Sequence, residues 1–190
     1  MNALDRFQYR LFVKEELCAG TCSPAARADP NRAILAGLLA GRAAGLGCLP
    51  DHLGLGETYF SLIRASYFPN SSLNLTDGNT EALPEWEDLY RLLMAHRAQE
   101  QESEPWIAHI LATACAGRDH LWQDLGFASR DELSHLMRVN FPALVGMNSG
   151  DMKWKKFLYK QFCAQDGIYV CPAPSCGECA DRQKCFAPET

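Results

Sequence analysis

Asp151-Met152-Lys153-Trp154-Lys155-Lys156-Phe157-Leu158-Tyr159-Lys160-Gln161-Phe162 carries the clearest periodicity in the chain. At about 100° per residue, Trp154, Phe157, Leu158 and Phe162 fall on one side of a helix and Lys153, Lys156 and Lys160 on another. The spacing predicts a last helix over 151–162, stopped by Gly167. The same period recurs upstream, and strand-like alternation is scarce.

Leu4, Phe7, Leu11 and Phe12 predict a first helix of about four turns. Residues 18–31 read as a loop, with Gly20, Pro24 and Pro30 as breakers. Ile34, Leu35, Leu38 and Leu39 give a second helix, and Glu57 to Phe68 a third. Asn70 to Thr80 reads as a mobile, turn-rich loop. Pro84 suits the first turn of a helix carrying Trp86, Leu89, Tyr90, Leu92 and Leu93, and Pro105 opens another. Ser129-Arg130-Asp131-Glu132 is a capping-box pattern and marks a further start, while Pro142 begins a short helical turn. The expected fold is all-α: an irregular bundle of about seven helices over 1–168, with a cysteine-rich loop over 169–190 packed on it as part of a single domain.

A chain of 190 residues is long enough for one core, and its formal charge of −5 argues against bulk attraction to nucleic acid. The longest apolar stretch, Ala33 to Leu49, is broken by Arg42 and four glycines, so no membrane span is expected. The start, Met1 to Phe7, is charged and lacks the apolar core of a secretory signal, so a cytoplasmic location is expected. There the nine cysteines should be mostly reduced.

Four of them form the most specific chemical signal: Cys171-Pro-Ala-Pro-Ser-Cys176-Gly-Glu-Cys179-Ala-Asp-Arg-Gln-Lys-Cys185, spaced C-x4-C-x2-C-x5-C. Pro172, Pro174 and Gly177 bend the chain so that the thiolates converge instead of splaying along a helix. The opening C-x4-C-x2-C repeats the spacing of plant-type ferredoxins, although their fourth ligand lies far downstream. Zinc also accepts four cysteines, usually from two CxxC knuckles, whereas one is present here. Iron–sulfur ligation, a structural zinc site and disulfides or plain thiols all remain open on spacing alone.

Other residues weigh less. Cys163 ends the last helix close enough in sequence to approach the cluster, and His120 could add an imidazole ligand or cap a helix. Cys18 and Cys22 form a possible second ligand pair or packed thiols, and Cys115 reads as core. His52, His96, His109 and His135 lack companions at ligand spacing. Lys153, Lys155, Lys156 and Lys160 are the one dense basic run; they could steer an oxyanion or stabilise a reduced cluster, or simply form a solvated face. Gly37-Leu-Leu-Ala-Gly41 reads as a helix-packing pair. Glycine-rich phosphate loops, HExxH and GxSxG are absent, so a turnover enzyme is not expected.

The segment Met147-Asn148-Ser-Gly-Asp151-Met152-Lys153-Trp154-Lys155-Lys156-Phe157-Leu-Tyr159, followed by the four-cysteine run and Phe186, resembles the NifQ proteins of nitrogen fixation. His120-Leu121-Trp122-Gln123-Asp124-Leu125-Gly126 is similar to that family's middle motif. The resemblance implies an iron–sulfur cluster, as [4Fe-4S] or a molybdenum–iron–sulfur species, held by Cys171, Cys176, Cys179 and Cys185. It further implies a carrier that donates molybdenum for building the nitrogenase iron–molybdenum cofactor, with the NifEN scaffold and the NifH iron protein as recipients and molybdate or a molybdenum–sulfur species as cargo. Lys153 and Lys156 would steer the anion, and His120 and Cys163 are possible extra ligands. The alternatives are a zinc-stabilised helical interaction module and a simple iron–sulfur electron carrier.

Overall fold

The computed structural model describes residues 2–73, 83–165 and 183. Ten helices are present among the described residues, and no strand. The all-α expectation holds; the helix number does not. Two short helices are additions, α2 (Pro24–Ala28) and α7 (Leu121–Asp124), and the short turn expected at Pro142 is a helix in its own right, α9 (Pro142–Met147); the others are α1 (Ala3–Ala19), α3 (Asn31–Ala43), α4 (Gly56–Tyr67), α5 (Trp86–Ala95), α6 (Glu104–Ala114), α8 (Arg130–Asn140) and α10 (Trp154–Gln165). Residues 18–31 are thus not all loop. Pro24 begins a helix rather than breaking one, because Ser23 caps it by accepting the Ala26 N–H at 3.1 Å. Pro84 lies two residues outside α5, not in its first turn.

Helix α3 runs through the middle, with every residue from Ile34 to Gly41 buried. Small residues make this possible. A Cβ on Gly41 would overlap the Gly126 carbonyl, so the chain leaving α7 lies directly on the α3 backbone. α1 and α8 pack on α3, α6 pairs with α5, and α10 lies against α5. Ile107, Ala108, Ile110, Leu111 and Ala112 of α6 are fully buried and join the same core as Leu158 of α10.

α1 departs from the amphipathic rule. Leu4, Phe7, Leu11 and Phe12, which announce the helix in the sequence, point outward and are 40–65% exposed. Arg10, fully buried, points inward with Val13 and Leu17. Its guanidinium donates to Gly126 O at 2.8 Å, to Glu132 Oε2 at 2.6 Å and to Gly37 O at 3.4 Å. Glu132 therefore does not close the expected capping box on Ser129. It starts α8 by accepting the Ala128 N–H at 2.7 Å while holding Arg10 and Lys14.

The last helix begins at Trp154, three residues later than its periodicity suggests. Before it, the Asn148 side chain closes a tight turn, accepting the Met152 N–H and donating to the Met152 carbonyl, both at 2.9 Å. Trp154, Phe157 and Leu158 are buried as expected; the Phe162 side chain lies outside the described residues. No described helix is long and apolar enough to cross a membrane.

Candidate functional site

The sequence around His120 forms a hub. His120 is the N-cap of α7, and its backbone N–H donates to Gln123 Oε1 at 3.2 Å. Three residues into that helix, Asp124 turns back into the body, where its side chain is 3% exposed. Two glycines leave it room. A Cβ on Gly117 would overlap its carboxylate, and Gly47, at φ +78°, passes 2.5 Å from its carbonyl at the Cβ position.

Lys155 of α10 meets this carboxylate. Its ammonium pairs with Asp124 Oδ2 and donates to Gly117 O at 2.9 Å. The basic run is thus divided: Lys155 is turned inward at 19% exposure, Lys153 is half-buried, and Lys156 and Lys160 are exposed. The ion pair joins the two stretches on which the sequence reading rested, residues 120–126 and the lysine-bearing last helix.

Two thiols complete the cluster. Cys48, half-buried, has its Sγ 3.6 Å from Ala114 O, and its N–H donates to Asp124 O at 2.9 Å. Burial first, and then the Asp124 charge, pushes its thiol up to about 11 against the opposing pull of Lys155. Burial likewise pushes Cys115 up to about 12. Both are therefore thiols at neutral pH, and the local charge resides in the Lys155–Asp124 pair. Among the described residues no three His, Cys, Asp or Glu side chains are placed to hold a metal ion. A cleft of about 630 Å³ opens at the cluster, lined by apolar Phe7, Trp122 and Phe127 and by polar Cys48, Arg118 and Asp124.

The four cluster cysteines expected from the sequence, Cys171, Cys176, Cys179 and Cys185, lie outside the described residues, as does the proposed boundary at 168/169. Cys163 is in α10, but its side chain is not described. His120, Lys153 and Lys156 do not line the cleft. Cys115 is core, as expected, and Cys18 and Cys22 are partly buried against the core. The sequence does not announce the Cys48–Asp124–Lys155 arrangement: residues 120–126 and 147–159 stand out separately, with no sign that they touch, and Cys48 lies in neither.

A family model described as NifQ matches residues 34–187. The chain is 40% identical over 186 residues to Protein NifQ of Azotobacter vinelandii, covering 90% of this chain and 95% of that one. It is 36% identical over 157 residues to Protein NifQ of Rhodobacter capsulatus, covering 82% and 87%. Over 88 residues it is 50% identical to Protein NifQ of Klebsiella pneumoniae, covering 46% and 52%. No solved structure matches significantly.

Proposed function

The chain belongs to the NifQ family, and on that premise we propose that it carries an iron–sulfur cluster, takes up molybdenum on it and donates the metal for assembly of the nitrogenase iron–molybdenum cofactor. Membership supports an accessory role in nitrogen fixation. The observation that carries the finer reading is the family match over 34–187, which includes the whole C-x4-C-x2-C-x5-C run.

Cys171, Cys176, Cys179 and Cys185 are the proposed cluster ligands, a donor set of four thiols that suits iron and excludes hard cations. Bound there, the cluster supplies sulfide bridges that give molybdenum a soft environment. Lys153, immediately before α10, and Lys156, on it, bias the approach of an anionic molybdenum species. His120 and Cys163 are proposed as further ligands. The Lys155–Asp124 pair supports this reading by fixing the helix from which the cysteine run departs. The protein is read as a carrier and not an enzyme, with NifEN and NifH as recipients.

Anaerobic purification of the full chain with iron, molybdenum, zinc and sulfide analysis tests the proposal. Iron and sulfide in stoichiometric ratio, lost in Cys176→Ala, are expected. Stoichiometric zinc without visible iron–sulfur absorbance would sink it in favour of a zinc-stabilised module. Reversible one-electron titration without molybdenum uptake would favour an electron carrier.

A further inference from the structure

The outward face of α1 has a composition that the body of the protein does not use. Leu4 is 65% exposed, Phe12 59%, Leu11 41%, and Phe7 and Tyr9 40% each. Single exposed apolar residues are ordinary, but Leu4, Phe7 and Leu11 fall within about 60° of one another around the helix and form a stripe, with Phe12 and Tyr9 further round. Leu4, Phe7 and Leu11 follow the i, i+3, i+7 spacing of a seam that receives another helix. The charges are sorted around it. All three bases of α1 turn to the body: Arg6 toward Gly45 O at 3.4 Å, and Arg10 and Lys14 onto Glu132. The acids Asp5, Glu15 and Glu16 are exposed. The exposed side of α1 therefore mixes apolar residues with acids, Glu15 next to Leu11 and Phe12, Glu16 next to Phe12 and Asp5 next to Tyr9.

We propose that this face docks a basic amphipathic helix of a partner protein, its apolar stripe on Leu4, Phe7 and Leu11 and its lysines or arginines beside Glu15 and Glu16. Charge complementarity selects this occupant. The chain's own undescribed segments carry the wrong sign: 74–82 holds Asp77 and Glu81 without a base, and 166–190 holds four acids against two bases. Phe7 also lines the cleft over Cys48, so the docked helix would lie at its mouth. The inference stands independently of the cluster reading, since α1 precedes the span matched by the family model.

The test titrates the full chain with two fluorescein-labelled synthetic helices, one of leucine and lysine in heptad repeat and one of leucine and glutamate. The lysine helix should bind at least about tenfold tighter than the glutamate helix. Leu4→Ser/Leu11→Ser should weaken it by about tenfold with unchanged circular dichroism, and Glu15→Gln/Glu16→Gln should flatten its salt dependence. Equal binding of both helices, or a Leu4→Ser/Leu11→Ser variant that binds like the parent, overturns the proposal. So does sedimentation showing a parent dimer that the same variant converts to monomer, which would assign the face to a second copy of the chain.

Discussion

Lys155 and Asp124 are 31 residues apart in sequence and form an ion pair in which the carboxylate is 3% exposed and the lysine 19%. The pair fastens the start of α10 to the end of α7. Removing one partner leaves the other charge buried without compensation. Asp124→Asn or Lys155→Met should each cost about 3–5 kcal/mol in urea unfolding, and the double variant less than the sum.

The same carboxylate governs Cys48. With Asp124→Asn, the negative neighbour that helps hold the thiol up near 11 is gone while Lys155 remains. The thiol pKa should fall, and Cys48 should be alkylated several-fold faster at pH 8, about what a shift of half a unit or more produces. Peptide-resolved mass spectrometry after a brief iodoacetamide pulse reads this site apart from the other cysteines. An unchanged rate would mean that burial alone sets the thiol's basicity.

Glu132 should make the fold acid-sensitive. Burial raises its carboxyl, but the Lys14 and Ala128 hydrogen bonds and the Arg10 and Lys14 charges outweigh that and hold it below the usual value of 4.5. A depressed pKa contributes stability that is fully present above about pH 4.5 and is lost as pH falls through the folded-state value. Glu132→Gln should therefore destabilise at pH 7 and narrow its deficit toward pH 3, measured as urea midpoints across pH.

Two glycines should differ in their tolerance of a methyl group. Gly117→Ala sets a Cβ into the Asp124 carboxylate, whereas Gly146→Ala meets nothing within 4 Å. The first should cost about 1–3 kcal/mol. The second, inside α9, should be neutral or stabilising by up to about 1 kcal/mol. Thermal melts of the two variants side by side decide this.

The helical body should not need metal. Its apolar core runs from Val13 to Leu158 through α3 and α6. Chelation should leave far-ultraviolet circular dichroism and the urea midpoint nearly unchanged, in contrast to a zinc-dependent fold.

Helical class and most helix starts were legible because 3.6-residue periodicity and caps are local properties. Trp154, Phe157 and Leu158 are buried where that period puts them. Local signals misled wherever a distant partner changed the balance. Leu4 and Leu11 look like a core stripe, yet Arg10 takes the inner face because Glu132 and the Gly126 carbonyl, more than a hundred residues away, satisfy it. Lys155 looks like one member of a solvated basic face, yet a carboxylate on α7 draws it in. Long-range ion pairs leave no periodic trace. The four-cysteine run is the reverse case: its chemistry is explicit in the spacing, and its geometry lies outside the described residues.

Arg10 sets a lower limit on what can be cut away. The family match begins at residue 34, beyond α1, which invites trimming the chain to that point. A fragment starting there would lose the guanidinium that serves Gly126 O, Gly37 O and Glu132 together. It would also expose the side of α3 on which Val13 and Leu17 lie. The span matched by the family model is therefore shorter than the set of residues that holds α3 in place.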